Sequence, residues 1–373
     1  MGIALSKYTN SRDNNFNLIR FIAAVAVLYG HSFPLAFGAG APEPLMSLFG
    51  ISLGSIAVDI FFITSGFLIA GSFFSKKNII AFIWARILRI YPALIVAVIF
   101  CIFIVGLYFT TYSASEYFTD AQTYTFFKRN VTLFWGVTYQ LPGVFTENPY
   151  PQAINGSLWT LPYEVKMYTY LAIIASILLY IHKKTDKYFI PIVFLILAIA
   201  SIVISITNHF YLYTHTSFEH LFSMFFVGTA FYLFKDKIYL SHTFFIVMLM
   251  VLLASTTNHN YFFIAYVIML PYVVFYLAYV PSGKIRAFNK LGDYSYGLYI
   301  YAFPVQQSIA ATIPNVTIPT MATLAFIISL TLSVLSWHFI EKKFLKMKNN
   351  YIIIEEKIEL FRVKIAKVLK NKF

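Results

Sequence analysis

Charged side chains are scarce in this sequence. They account for 12% of its 373 residues, against about 25% in soluble globular domains. Hydrophobic residues make up 59% and the mean hydropathy is +0.72, which excludes a soluble domain of this length. Cysteine occurs once, at Cys101, and this excludes an intramolecular disulfide and a cysteine cluster for a metal.

Motifs of several common chemistries are also missing. The chain has no Walker-type or dinucleotide-type glycine pattern, so ATP and NAD gain no support. No His, Asp and Glu residues stand at a spacing typical of metal ligands. The G-x-S-x-G elbow of serine hydrolases is absent, and Ser65 in TSGF lacks its context. The sequence therefore predicts no metal ion.

Long apolar runs recur along the whole chain instead, and each can cross a hydrocarbon core of about 30 Å as a helix. Only helices or closed barrels satisfy the backbone in lipid. We therefore predict an all-α, polytopic membrane protein with about ten transmembrane helices and no separate soluble domain. The ten segments are 16–37, 51–73, 88–109, 164–182, 189–207, 218–235, 242–257, 260–280, 292–312 and 318–341.

The net charge of +13 would suit nucleic acid, but its distribution points to a membrane. Loops 208–217, 257–260 and 312–318 carry no Lys or Arg, whereas the alternate loops and the tail are basic. This is the positive-inside pattern, which predicts that both termini are cytoplasmic. The basic loop residues are Lys76, Lys77, Arg86, Arg89, Lys183, Lys184, Lys187, Lys235, Lys237, Lys284, Arg286 and Lys290. Lys128, Arg129 and Lys166 are the exceptions.

The C-terminal segment 346–373 mixes Ile, Leu and Val with Lys and Arg. This composition is typical of an amphipathic helix lying on an anionic inner leaflet. A plain solvated helix is an equal alternative. We therefore treat 346–373 as a basic cytoplasmic tail.

Two ionisable residues share the first segment. Arg20 and His31 are eleven residues apart in RFIAAVAVLYGH, so both leave one face of one helix, roughly 16 Å apart along its axis. Because such groups are costly in a bilayer, they indicate a functional site. The alternative is an Arg that snorkels to the surface and a His that bonds a neighbouring helix.

A carboxylate in the second segment is a candidate partner for this histidine. Asp59, in VDIFFITSGF, lies about 12 Å from the outer side and could face His31 across antiparallel helices. A carboxylate bonded to one imidazole nitrogen makes the other a better base. The alternative is a structural Asp. Glu219 and His220 open the sixth segment, and we interpret them as interfacial.

Two further charged sites stand at predicted helix ends. Glu164 follows NGSLWTLPY at the outer end of the fourth segment, where it either acts chemically, pairs with Lys166 or caps the helix. Arg86 and Arg89 form an R-x-x-R pair on one face of a cytoplasmic helix start. With Arg20 at the same depth they could hold a polyphosphate. Ordinary contact with lipid phosphates is the alternative.

The chain resembles the bacterial acyltransferase family 3 of integral-membrane enzymes over residues 14–345. The resemblance rests on six motifs in order: NNFNLIRFIAAVAVLYGH, VDIFFITSGFLIAG, WARILRIYPA, NGSLWTLPYEVKMY, LGDYSYGLYIYAFPVQ and SWHFIEKKF. It implies a transmembrane acyltransferase domain at 1–345, acetyl-CoA as cytoplasmic co-substrate and a glycan hydroxyl as acceptor at the periplasmic face. The chain ends too soon for the SGNH domain that some members append.

The resemblance also implies roles for individual residues. His31 matches the proposed catalytic His, and Arg20 matches the arginine of the first helix. Arg86 and Arg89 match the R-x-x-R pair expected to bind the donor. Glu164 matches the acidic residue of the SLW–E motif.

We therefore expect an O-acyltransferase, in the first instance an O-acetyltransferase, in the bacterial cytoplasmic (inner) membrane. It would acylate a surface polysaccharide or a lipopolysaccharide such as O-antigen, with His31 as general base assisted by Asp59. A covalent acyl-histidine relay remains open, as does succinyl transfer. Nucleic acid is not an expected partner, and the oligomeric state is open.

Aromatic residues in and after the long loop 110–163 are the expected acceptor platform, because apolar faces of sugars pack on aromatic rings. Trp135, Trp159 and Tyr163 are the candidates, although an interfacial aromatic belt would look the same. The alternative functions are a transporter of a small solute or lipid-linked sugar, with His31 and Asp59 as proton relay, and a lipid-linked sugar glycosyltransferase.

Overall fold

The structure is a computed structural model that describes residues 2–9, 11, 13–181, 188–212 and 217–370. The chain is all-α, as predicted, apart from two short antiparallel strands, Ile3–Ala4 and Tyr239–Leu240. A helix stands at each of the ten predicted positions. They are α1 (Phe16–Phe37), α2 (Leu53–Lys76), α3 (Ile79–Phe100), α4 (Leu161–Ile181), α5 (Phe189–Thr207), α6 (Ser217–Leu233), α7 (His242–Ser255), α8 (His259–Tyr279), α9 (Ser295–Thr312) and α10 (Ile318–Ser336).

Seven helical stretches within the described ranges are long and apolar enough to cross a membrane. They contain α1, α2, α3, α4, α5, α8 and α10. Helices α6 and α7 are apolar but shorter, and α9 carries Tyr and Gln residues that lower its hydropathy. The structure thus supports a polytopic membrane protein, while the count of ten spans stays a prediction.

Short helices and turns connect these elements. Three helices are extended by π-helical turns: α3 through Cys101–Gly106 to Leu107–Phe109, α5 through Asn208–Leu212, and α10 through Trp337–Glu341. The other short helices are Leu5–Thr9, Pro44–Phe49, Ala114–Thr119, Ala121–Thr132, Gly156–Thr160, Gly283–Lys290, Lys342–Lys346 and Met347–Asn350. We call the end of the bundle where α1 begins the inner end, and the end where α1 finishes the outer end.

Helices α2 and α6 pack with their backbones in direct contact. A Cβ added to Gly66 would overlap the carbonyl oxygen of Phe225 and lie 2.8 Å from its carbonyl carbon. A Cβ on Gly228 would likewise overlap the carbonyl oxygen of Ile63. Thr229 adds a hydrogen bond from its hydroxyl to the Gly66 carbonyl oxygen, at 3.2 Å. Small residues at such crossings let membrane helices approach closely.

The tail forms a helix, α11 (Tyr351–Lys370), in the segment predicted to be helical. It docks at the inner end beside the junction of α2 and α3. There the Asn78 side chain donates to Glu355 at 2.6 Å, and the Lys76 ammonium lies 4.9 Å from the centre of the Tyr351 ring. Contact with a lipid surface remains a prediction for this helix.

The uneven distribution of Lys and Arg between alternate loops predicts the membrane topology. A reporter at Asn14 or Lys370 should give a cytoplasmic signal, and a reporter at Ala114 should give a signal from the outer face. The measurement is paired enzymatic reporter fusions, active on one side of the membrane only. An outer signal at Lys370 would contradict the prediction, since such a signal requires an odd number of spans.

Three lysines of the same charge pattern, Lys183, Lys184 and Lys187, lie outside the described residues.

Candidate active site

A cavity of 580 Å³ opens at the outer end of the bundle, and His31 lines it. Glu43, Ser55, Trp159 and Tyr299 also line this cavity, which we call the main lobe. The His31 Nδ1 atom is buried and has no hydrogen-bond partner among the described residues. The His31 ring therefore borders the cavity and is not committed through Nδ1 to a hydrogen bond within the described chain.

Packing around the histidine leaves its ring little freedom. The Phe303 ring meets the His31 ring edge to face, with centroids 5.3 Å apart. The neighbouring Gly30 lets α1 approach α2, because a Cβ there would lie 3.3 Å from the backbone nitrogen of Gly54. The alternative predicted from the sequence was a His that bonds a neighbouring helix, and Nδ1 forms no such bond within the described chain.

Glu43 is a cavity residue that the sequence did not single out as a site. Its carboxylate accepts a hydrogen bond from the backbone N–H of Leu53, the first residue of α2. Burial raises the pKa of Glu43 above its usual value, against the lowering effect of this bond. The carboxyl group is therefore a better proton acceptor than a fully exposed one.

Asp59 does not pair with His31, and that prediction is wrong. Its Oδ2 atom accepts from His220 Nε2 at 2.8 Å and from the Tyr266 hydroxyl at 2.6 Å. The His220 Nδ1 atom lies 3.1 Å from Ser205 Oγ. The direct His31–Asp59 contact, from which the transporter alternative would build a proton relay, is therefore not formed.

The interfacial depth of His220 stays a prediction, but the residue also has a bonded place in the structure. Its ring is bonded inside the bundle, because α2 packs against α6 where the glycine contact brings the two backbones together. Asp59, on the N-terminal half of α2, is consequently turned towards α6 and α8. Both histidine and aspartate were visible in the sequence, but the direction in which α2 turns was not.

A second cavity of 400 Å³ adjoins the main lobe, and we call it the side lobe. Its polar lining includes Asp59, Ser205, Asn208, Glu219 and His220. The buried Oε2 atom of Glu219 has no partner among the residues described. Because Ser52, Ser55, Val58 and Trp159 line both lobes, the two form one cleft at the outer end.

Glu164 lies deeper in the bundle than predicted. The helical turn Gly156–Thr160 precedes α4 and belongs to the same membrane-capable stretch, so the chain has already entered the bundle before Glu164. The carboxylate accepts a hydrogen bond from the Tyr168 hydroxyl. The alternative pairing with Lys166 is not formed, since the Lys166 ammonium lies over the Tyr163 ring at 5.3 Å.

A narrow cavity of 40 Å³, the inner cavity, brings Glu164 together with Arg20. Phe61, Tyr296 and Tyr299 also line it. Tyr299 and Val58 border both this cavity and the main lobe, so these two side chains stand between the arginine and the cavity that His31 lines. A hydrogen bond of 2.7 Å between the Tyr299 and Thr160 hydroxyls holds Tyr299 in that position.

The two arginines of the R-x-x-R pair have different surroundings. Helix α3 begins at Ile79, well before the predicted residue 88, so both lie inside the helix rather than at its start. Arg86 lies over the Tyr168 ring at 5.8 Å, and its Nε atom is buried without a hydrogen-bond partner in the described chain. The Nε atom of Arg20 is in the same state.

Arg89 is held by two carboxylates instead. Its guanidinium bonds Asp293 Oδ2 at 2.5 Å and Glu341 Oε2 at 3.3 Å. These bonds tie α3 to the start of α9 and to the end of α10. Neither acid was predicted to be a partner of Arg89, although each stands in a motif of the family resemblance, LGDYSYG and SWHFIEKKF.

The three predicted acceptor aromatics are separated. Trp159 lines both lobes, and Tyr163 packs against it with ring centroids 5.8 Å apart. Trp135 does not line the cleft, which corrects its place in the predicted platform. It is 60% exposed and lies beside Phe134 and under the Lys128 ammonium, because its loop projects away from the bundle.

The described residues include no group of three or more His, Cys, Asp or Glu that could hold a metal ion. The ionisable groups that line the cavities are imidazole and carboxylate at the outer end and guanidinium and carboxylate at the inner end. Imidazole can accept a proton, and guanidinium can bind an anion.

Comparison with known proteins gives the family. The profile of an acyltransferase domain matches residues 13–338. An O-acetyl transferase of Shigella phage Sf6 is 31% identical over 352 residues, which are 90% of this chain and 96% of that protein. Nodulation protein 10 of Rhizobium leguminosarum bv. viciae is 26% identical over 186 residues, 46% of this chain and 47% of that protein. No solved structure matches. The chain belongs to the family of membrane acyltransferases that its motifs indicated.

Proposed function

We propose that this protein transfers an acetyl group from cytoplasmic acetyl-CoA to a hydroxyl of a surface polysaccharide or lipopolysaccharide at the outer face of the bacterial inner membrane. The observation that carries the proposal is the succession of two cavities along the bundle, which share Tyr299 in their walls. Arg20 and Glu164 line the inner cavity, and His31 lines the main lobe. The acetyl group is proposed because the Shigella phage relative is an O-acetyl transferase.

The inner end suits the donor. Coenzyme A carries several phosphate charges and does not cross a bilayer, whereas its pantetheine arm is uncharged and can reach inwards. Arg20 and Arg86 each have a buried Nε atom without a partner, and guanidinium groups bind phosphate oxygens through charge-assisted hydrogen bonds. We assign Arg89 a positioning role, since Asp293 and Glu341 already hold it.

The outer end suits the transfer. In the proposed reaction a His31 nitrogen takes the proton of the acceptor hydroxyl while the oxygen of that hydroxyl attacks the thioester carbonyl. The carbon–sulfur bond breaks, and the CoA thiolate leaves and is protonated. General-base assistance of this kind contributes about 10²- to 10⁴-fold in rate. In the covalent variant, the imidazole nitrogen attacks the thioester first and then passes the acyl group to the hydroxyl.

Loss of the protein should remove one acyl substituent from a surface glycan. The experiment is mass spectrometry of surface polysaccharide and lipopolysaccharide from cells with and without the gene, with complementation as control. The mass of the missing substituent identifies the acyl group, because acetyl and succinyl groups differ in mass. Identical glycan masses in both strains would contradict the proposed function.

Arg86→Ala should weaken CoA binding by the purified protein about tenfold to a hundredfold, because it removes a charge-assisted hydrogen bond worth roughly 1.5–3 kcal/mol. Arg86→Lys should restore part of the affinity, since an ammonium lacks the bidentate fork. Titration calorimetry measures both, with the exposed Arg129→Ala as matched control.

Arg89→Ala should act differently and lower the melting temperature, because it leaves the buried Glu341 carboxylate and the largely buried Asp293 carboxylate without their cation. Unchanged CoA affinity in Arg86→Ala would move the donor site away from this arginine. A wild-type melting temperature of the Arg89→Ala protein would show that Arg89 does not have the positioning role.

A further inference from the structure

We propose that the side lobe binds one sugar ring of the acceptor, in uncharged or cationic form, next to the ring whose hydroxyl is acylated at His31. This assignment rests on the proposed function, because it takes the acceptor to be a glycan. It adds the charge class of the sugar and the residues that recognise it.

The charges of the side lobe disfavour an anion. The described residues that line it include the carboxylates of Asp59 and Glu219 and no Lys or Arg. Two histidines also line the lobe, and one of them, His220, bonds Asp59 and can offset its charge. The unpartnered Glu219 carboxylate is therefore the group that repels an anionic ligand in a partly desolvated site. The phosphates of CoA and the carboxylate of a uronic acid are therefore disfavoured, whereas a neutral sugar or an amino sugar is not. The donor's anion site lies at the other end, beside Arg20 and Arg86.

The polar atoms of the lobe call for a ligand rich in hydroxyl donors. Glu219 presents a buried Oε2 atom with no partner from the described chain, and such an atom is costly unless a donor reaches it. Asp59 uses Oδ2 for both of its bonds. Asn208 adds an amide that can donate and accept. Sugar hydroxyls supply the donors that these acceptors lack.

The apolar walls suit the face of a sugar ring. Trp159 and Phe263 line the lobe, and Phe263 is held in place by stacking on His209 at 3.9 Å. The volume of 400 Å³ lies within the range of about 300–1,000 Å³ for ligand pockets. Since Trp159 also lines the main lobe, a ring bound against it has its neighbour beside His31.

The hydrogen-bonded wall of the lobe makes this site rigid. Asp59 is fixed by His220 and Tyr266, and His220 is fixed in turn by Ser205. Four helices, α2, α5, α6 and α8, supply these four residues, so the wall forms only in the folded bundle. A wall held in this way binds without the cost of ordering its side chains.

The test uses the purified full-length protein and three methyl glycosides as probes: a glucoside, a glucosaminide and a glucuronide. Saturation-transfer NMR should show saturable binding of the first two and at least tenfold weaker binding of the glucuronide. Glu219→Gln should weaken glucoside binding about tenfold, because the hydroxyl loses a charged acceptor. CoA affinity should not change. Glu147→Gln, which alters an exposed carboxylate outside the lobe, is the matched control.

A second variant keeps the test decisive should Glu219→Gln fail to fold. Asn208→Lys places a cation at the lobe and should favour the glucuronide over the glucoside. Equal glucoside binding by wild type and Glu219→Gln, a glucuronide that binds as well as the glucoside, or no saturable glycoside binding would each overturn the assignment. If glycan acylation is lost without the gene in the same study, only this assignment fails and the proposed function stands.

Discussion

His31→Ala is expected to lower glycan acylation by about 10²- to 10⁴-fold, the contribution of a general base. The protein should still fold and bind CoA. The buried Nδ1 atom has no hydrogen-bond partner among the described residues, so removing the ring leaves no such partner unsatisfied. Mass spectrometry of surface glycans measures the acylation, and calorimetry of the purified variant measures CoA binding. His31→Gln should not rescue, since an amide has no useful basicity at neutral pH.

Two comparisons sharpen this result. His259→Ala changes an exposed histidine at the start of α8 and should leave acylation near the wild-type level. Asp59→Asn should lose less than His31→Ala, because Asp59 contacts His220 and Tyr266 rather than the proposed base. Near-normal acylation by His31→Ala would show that His31 is not the general base of the reaction.

Gly66→Ala is expected to prevent folding of the bundle. The added methyl group would overlap the carbonyl oxygen of Phe225 and lie 2.8 Å from the carbonyl carbon. Both are backbone atoms of α6, so no side-chain rotation relieves the clash and the two helices must separate. We expect a destabilisation above about 3 kcal/mol, the upper end of ordinary overpacking.

The measurement is the yield of monodisperse protein and its melting temperature in detergent. Gly40→Ala is the matched control, since a Cβ there meets no atom within 4 Å, and it should melt like wild type. Gly228→Ala should reproduce the defect from the opposite helix, because its Cβ would overlap the carbonyl oxygen of Ile63. A Gly66→Ala protein that melts like wild type would show that α2 and α6 are not packed as described.

The helices of this fold could be predicted because hydropathy is a local property. Each apolar run predicts a helix, and a helix stands at each of the ten positions, although α6 and α7 are shorter than the helices that qualify as membrane spans. The predicted ends of the helices were less accurate where amphipathic turns extend an apolar run. Helix α3 starts at Ile79, because the Asn78 side chain accepts the Ala81 N–H and caps it, so Arg86 and Arg89 lie inside a helix.

The partners of charged residues could not be predicted in the same way. The direction in which a buried helix turns depends on its neighbours, and the glycine contact between Gly66 and α6 directs Asp59 to His220 rather than to His31. Similarly, hydropathy puts Glu164 at the beginning of a span. The preceding turn Gly156–Thr160 is already part of the bundle, so the carboxylate meets Tyr168 and the inner cavity.

The small size of the inner cavity has a consequence for any ligand that would pass it. At 40 Å³ the cavity holds about one water molecule, whose share of the liquid volume is about 30 Å³. The hydrogen bond between Tyr299 and Thr160 stands beside it. If the donor enters as proposed, its pantetheine arm has to displace the Tyr299 side chain, and we expect the opening to exist only while the arm fills it.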